Sequence, residues 1–206
     1  LFAERMRRMF GMLKDLLHTT NENEFNKLFS RIEKYENISD SMELEIANYL
    51  NKVSEGRLSS ESKLEIRGML REVTEIESIG DSCYNLARTI NRKRSGGNDF
   101  TEKQYEHIHQ MMQLTDDALA QMIAIVEDDY HVVDVNKTFN LENEINNYRA
   151  QLKNQNVVDV NNKEYDYQMG VHYMDLIGEC EKLGDYVVNV VEARTNVKEK
   201  KVGDNR

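Results

Sequence analysis

Proline is absent from all 206 residues of this chain, and this absence constrains the fold more than any other feature. Proline normally marks turns and strand edges and interrupts helices. Only ten glycines are present, and Glu, Lys, Leu, Met, Arg and Asn, most of them good helix formers, are abundant. A charged share of 31% suits long helices with one solvated face. The sequence therefore predicts an all-α fold.

The clearest break in the chain is the segment 95–99, Ser-Gly-Gly-Asn-Asp, which lies near its middle. Thr101 and Gln104 then have the spacing of a capping box that begins a new helix. Ser59 or Ser60 is the expected cap of an earlier helix. The asparagine-rich stretch 154–162 is interpreted as a break, and the charged tail after Lys198 is expected to fray. The predicted helices are 1–18, 22–54, 60–93, 101–130, 134–155 and 161–197.

The two halves carry the same motif. Glu-x-x-Gly-Asp-x-x-x-Asn occurs at residues 77–85 and again at 181–189, 104 positions later. An earlier pair of segments, which begin at Tyr35 and Leu141, repeats with an offset of 106. Two repeats in the same order at nearly the same period indicate a duplicated unit. The prediction is two tandem three-helix bundles with pseudo-two-fold symmetry, the first at residues 1–97 and the second at 98–206.

A pair of carboxylates one helical turn apart is by itself a weak signal, because the chain has 37 acidic residues and most such pairs lie on solvated faces. The repeated spacing argues against that reading. Glu77 also falls inside an apolar stripe that includes Val73 and Tyr84, and Asp81 lies near its edge. A desolvated carboxylate must be paired, protonated or bound to a metal.

A second helix supplies more oxygen atoms. If Glu36 and Asp40 face Glu77 and Asp81, four carboxylates share one groove, and they cannot all stay ionised without a cation. Mg²⁺, Ca²⁺, Mn²⁺, Fe or Zn²⁺ would suit such a site.

The corresponding residues of the second half are Glu142, Asn146, Glu181 and Asp185. Glu181 and Asp185 lie at the border of their apolar stripe, and an asparagine replaces one carboxylate. This site is expected to bind metal more weakly or not at all.

Gly80 and Gly184 lie within predicted helices, where glycine costs about 1 kcal/mol relative to alanine. Two explanations stay open: close approach of a ligand, or close packing of a neighbouring helix.

The histidines give a weaker signal. Glu106-x-x-His109 has the spacing of a ligand pair in a ferritin-like di-iron bundle, but that chemistry needs two such pairs. His18 and His131 follow Asp15 and Asp128 at the same spacing, but they fall near predicted helix ends, where histidine is common.

Composition limits the function. The net charge of −10 argues against a nucleic-acid partner. Cys83 and Cys180 are expected to be reduced core thiols in a cytosolic protein. No apolar run approaches the length of a membrane span. The first residue is not Met, and Arg5, Arg7 and Arg8 follow, so we expect a piece that follows a membrane segment on the cytoplasmic side, although an ordinary exposed helix face explains the arginines equally well.

The two carboxylate motifs resemble those of the PhoU family. The resemblance implies two tandem three-helix bundles with a Glu/Asp-x-x-x-Asp signature on paired helices of each bundle, which binds iron or zinc in some members. Glu36 and Asp40 match this signature, as do residues 77–81 and 181–185, whereas Asn146 departs from it.

The resemblance also implies a regulator and not an enzyme. We expect the cytoplasmic domain of a sodium-dependent phosphate cotransporter, at the inner membrane, whose partner is the membrane part of the same chain. The alternative is a free-standing PhoU regulator of phosphate transport and signalling. A carboxylate-bridged metalloenzyme is a third reading. Members of the family often pair, so a homodimer is also expected.

Overall fold

The computed structural model describes residues 1–128 and 133–204, with side chains as far as Thr195. Helices and their connections account for this part of the chain, which has no β-strand, so the all-α prediction is confirmed. The helices are α1 (Phe2–His18), α2 (Glu22–Ser54), α3 (Ser60–Ser95), α4 (Glu102–Val126), α5 (Asn136–Asn161) and α6 (Tyr167–Asp204).

Two helix caps form as predicted. The Ser59 side chain accepts a hydrogen bond from the Ser62 amide at 3.1 Å. Thr101 and Gln104 exchange hydrogen bonds of 3.0 and 3.1 Å in a complete capping box. These bonds satisfy amide groups that have no partner inside the helix, so they fix the residues at which α3 and α4 begin.

The predicted boundary between the last two helices was wrong. The asparagines of 154–162 do not end α5, which continues to Asn161. Its last turns pack on the start of α6, where a Cβ at Gly170 would lie 2.9 Å from Val160 Cγ2. The chain reverses at Asn162 to Asp166, where Lys163 has a φ of 59°. Tertiary packing therefore outweighs the low helix propensity of asparagine.

Two other helix ends differ from the prediction by more than two residues. Helix α4 ends at Val126, before the predicted residue 130, and Asp129 and Tyr130 lie outside the described residues. Helix α6 continues past Lys198 to Asp204, where fraying was expected.

The helices form two three-helix bundles, confirming that part of the fold prediction. Helices α1, α2 and α3 pack on one another, as do α4, α5 and α6. The longest packing surface joins α3 to α6, and α1 also touches α4. One continuous apolar core therefore runs through both bundles. The predicted boundary between residues 97 and 98 falls in the connection between α3 and α4.

Two reciprocal hydrogen bonds follow the pseudo-symmetry of the sequence. Asn85 Nδ2 donates to Glu179 Oε1 at 3.3 Å, and Asn189 Nδ2 donates to Glu75 Oε2 at 3.1 Å. The two asparagines are 104 positions apart, and so are the two glutamates. The asparagine of each motif therefore fastens α3 to α6 and is not directed toward a carboxylate groove.

Candidate metal centre

Four acidic side chains meet between α2 and α3. Glu36 and Asp40 lie one turn apart on α2, and Glu77 and Asp81 have the same spacing on α3, so each pair shares one helix face. Ligand oxygens of Glu36, Asp40 and Asp81 all lie within 4.8 Å of one another. Glu77 forms side-chain hydrogen bonds to Asp81 and Asp40. The structure thus brings together the four residues of the first predicted site.

Protonation is one way in which this groove accommodates its charge. Burial, the hydrogen bond and charge of Asp81, and then the hydrogen bond of Asp40 raise the pKa of Glu77 to about 8. Burial, followed by the charges of Asp40 and Asp81, also raises the pKa of Glu36. Glu77 therefore holds a proton at neutral pH and donates it to a neighbouring carboxylate. A bound cation would replace that proton.

The acidic surface of α2 is longer than the predicted site. Glu33 accepts a hydrogen bond from the Tyr84 hydroxyl at 3.0 Å, and Glu43 accepts one from Thr74 Oγ1 at 3.1 Å. Glu43 also contributes to the raised pKa of Glu77. Sequence reasoning missed both glutamates. The signal was present, because acidic residues occur at 33, 36, 40 and 43, which is the helical spacing of one face.

The second groove contains an arginine that sequence reasoning also missed. Arg149 Nε lies 2.5 Å from Glu181 Oε2, and Asn146 Nδ2 donates to Glu142 Oε1 at 2.5 Å. Burial, the charges of Glu181 and Glu142, and then a side-chain hydrogen bond with Glu142 raise the pKa of Asp185.

Arg149 and Glu43 are 106 positions apart, the offset that relates α5 to α2. A guanidinium in the second groove therefore stands where the first has a carboxylate. It supplies there the positive charge that the first groove lacks.

The two motif glycines serve helix packing. A Cβ at Gly80 would lie 3.0 Å from Met6 Sδ of α1, and one at Gly184 would lie 3.4 Å from Ile145 Cδ1 of α5. Met6 and Ile145 are fully buried. Of the two explanations that the sequence left open, close approach of a neighbouring helix is the one seen here.

Two histidines that the sequence analysis treated separately lie side by side. His18 at the end of α1 and His109 on α4 have their Nε2 atoms 2.5 Å apart. No sequence pattern joins them, because they are brought together by the packing of one bundle on the other. His131, which was considered with them, lies outside the described residues.

Comparison with known proteins identifies the fold family. The sequence matches the family described as "PhoU domain" over residues 2–90 and 108–193. The chain belongs to the PhoU family. The two matches cover most of both three-helix bundles, and the residues between them include the connection from α3 to α4. No curated protein matches the chain by sequence.

Two solved PhoU structures share the whole architecture. PhoU from Pseudomonas aeruginosa superimposes with a TM-score of 0.84 at 10% identity, covering 97% of this chain and 92% of that one. The phosphate transport system regulatory protein PhoU from Streptococcus pneumoniae gives a TM-score of 0.74 at 14% identity, covering 96% and 91%. At these identities the likeness establishes the fold.

Proposed function

We propose that this chain is a non-catalytic regulator of phosphate transport that acts on the cytoplasmic face of the membrane through contact with a transport protein. The observation that carries this proposal is the PhoU family match to both bundles, supported by a fold that spans more than nine-tenths of two PhoU chains. One of those chains is described as a phosphate transport system regulatory protein.

A free-standing regulator fits better than a domain fused to a cotransporter. The expectation of a fused domain relied on the first residue, which is not Met, and on the arginines that follow it. Two of them have partners within the fold, since Arg5 stacks on the Tyr35 ring at 4.0 Å and Arg7 forms two hydrogen bonds with Asp116. A role in packing therefore accounts for them without a neighbouring membrane. None of the described helices is long and apolar enough to cross a bilayer.

Complementation of a bacterium that lacks its own PhoU tests the function. We expect expression of this chain to restore repression of phosphate uptake in phosphate-rich medium, measured with labelled phosphate. Expression without any change in uptake would contradict the proposal. Turnover of a phosphoester by the purified chain would support the metalloenzyme reading instead.

We further propose that the groove formed by Glu36, Asp40, Glu77 and Asp81 binds a metal cation. Oxygen atoms of Glu36, Asp40 and Asp81 lie within 4.8 Å of one another. They fit around an ion whose metal–oxygen distances are roughly 2.0–2.6 Å, and Glu77 is hydrogen-bonded to two of these residues. All the donors are carboxylates, which favours Mg²⁺, Ca²⁺, Mn²⁺ or ferric iron, although Zn²⁺ also accepts oxygen ligands. The weaker counterpart is formed by Glu142, Glu181 and Asp185. Arg149 pairs with Glu181 there and already neutralises part of the negative charge that would attract a cation.

The Asp81→Asn variant should lose metal from the first groove. Removing one carboxylate ligand should weaken metal binding at least about tenfold. Elemental analysis after reconstitution with each candidate cation measures the change. Asp185→Asn is the matched control at the equivalent position of the second repeat, and it should leave the metal content nearly unchanged. If the wild-type chain retains no metal after reconstitution, the proton on Glu77 is what stabilises the groove, and the metal proposal fails.

A further inference from the structure

His18 and His109 form a pair of side chains outside the acidic groove. His18 lies in the last turn of α1 and His109 in the second turn of α4, so each bundle contributes one imidazole. Their ring centroids are 4.7 Å apart, and the ring planes are inclined by 47°. Both residues are exposed to solvent, so an ion in solution can reach them.

The distance between the two nitrogens indicates what the pair can hold. At 2.5 Å, the Nε2 atoms are closer than an ordinary N–H hydrogen bond allows, and they face each other directly. An ion with metal–nitrogen distances of about 2.0–2.1 Å would hold two adjacent ligand nitrogens roughly 3 Å apart. To admit it, the Nε2 atoms would have to separate by less than about 1 Å, and both rings would have to turn so that each Nε2 points at the ion and not at the other nitrogen.

The surroundings of His109 favour its neutral form. Burial, followed by the charge of His18, lowers the pKa of His109. The Tyr105 ring lies beside both histidines, with centroid distances of 5.6 and 6.3 Å, and its hydroxyl already donates to Asp99. Neutral imidazole is the form that binds metal.

We propose that His18 and His109 form a second, nitrogen-donor metal site that links the two bundles and takes a late first-row divalent ion such as Cu²⁺, Ni²⁺ or Zn²⁺. Imidazole suits these ions, whereas the all-oxygen groove between α2 and α3 suits harder ones. In the described part of the chain no Asp, Glu, Cys or third His closes around the pair, so water completes the coordination.

The backbone frame of the site is held independently of any ion. Arg7 Nε and Nη2 donate to the two oxygens of Asp116 at 3.2 and 3.1 Å, three turns before His18 on α1 and two turns after His109 on α4. This bidentate pair fixes α1 against α4, so the histidines are positioned in advance. An ion bound there adds a further cross-link between the bundles and should stabilise the folded chain.

Electron paramagnetic resonance of the full chain with one equivalent of Cu²⁺ tests the site. We expect hyperfine coupling from two imidazole nitrogens, which a carboxylate groove cannot produce. His18→Asn and His109→Asn should each remove one of these nitrogens and weaken Cu²⁺ binding at least tenfold. They should also abolish the rise in the thermal midpoint that Cu²⁺ gives the wild type.

Two controls separate this site from the rest of the chain. His107→Asn removes a histidine on the same helix that instead contacts the Tyr173 hydroxyl, and it should retain both nitrogens. Asp81→Asn should also retain them, since that residue belongs to the acidic groove. Circular dichroism without metal checks that each variant is folded. The proposal would be overturned if the His18→Asn and His109→Asn variants still showed hyperfine coupling from two imidazole nitrogens, or if the wild type did not bind Cu²⁺.

Discussion

Replacing Arg94 by alanine should lower the free energy of unfolding by about 2–3 kcal/mol. Arg94 Nη1 and Nη2 donate to the carbonyl oxygens of Thr19 and Thr20 at 2.8 and 2.7 Å. The same guanidinium stacks over the Phe25 ring at 4.5 Å. The last turn of α3 therefore fastens the turn between α1 and α2, and alanine would remove all three contacts.

Urea denaturation followed by circular dichroism measures this change. Arg94→Lys keeps the charge but loses the planar fork, so it should fall between alanine and the wild type. Arg92→Ala is the control two residues away, because Arg92 is exposed and its side chain bonds to Thr89 within its own helix. That variant should change stability by less than about 0.5 kcal/mol. An Arg94→Ala variant as stable as the control would show that the turn does not depend on these bonds.

The sequence predicted the helical architecture well because several independent signals agreed. The absence of proline indicated long helices. The capping residues Ser59 and Thr101 indicated where two of them begin, and the repeated motif indicated two equivalent halves. The error at α5 arose where local and tertiary preferences conflict. Asparagines lower helix propensity between residues 154 and 162, but contacts such as the one between Val160 and Gly170 hold that segment helical.

The candidate site was predictable where its spacing lies within one helix. The i, i+4 pairs at 36 and 40 and at 77 and 81 can be recognised without a structure. Arg149 could not be assigned to the second groove from the sequence. An arginine one turn from Asn146 has a long, flexible side chain, and the sequence does not show whether it turns toward the groove or toward solvent. The pair of His18 and His109 was also out of reach, since it depends on how α1 packs against α4.

Glu77 should make the metal-free chain less stable as the pH rises, and Glu77→Gln should remove this dependence. Below about pH 4.5 the carboxyl is protonated in both the folded and the unfolded chain, so its titration does not change the free energy of unfolding. Between pH 4.5 and about 8 the unfolded chain releases a proton that the folded chain retains, and rising pH therefore favours unfolding. Because the side chain is partly solvated, screening reduces the effect to on the order of 1–2 kcal/mol.

Thermal denaturation in EDTA between pH 5 and 8.5 measures this prediction. Glutamine keeps a donor for Asp40 and Asp81 but cannot ionise, so Glu77→Gln should match the wild type near pH 5 and exceed its midpoint by a few degrees at pH 8.5. Glu45→Gln removes the same charge from an exposed position of α2, so its melting midpoint should vary with pH as that of the wild type does. Identical pH dependence in Glu77→Gln and the wild type would contradict a retained proton. In the wild type, Mn²⁺ should raise the midpoint more at pH 8 than at pH 5, because a cation in this groove competes with that proton.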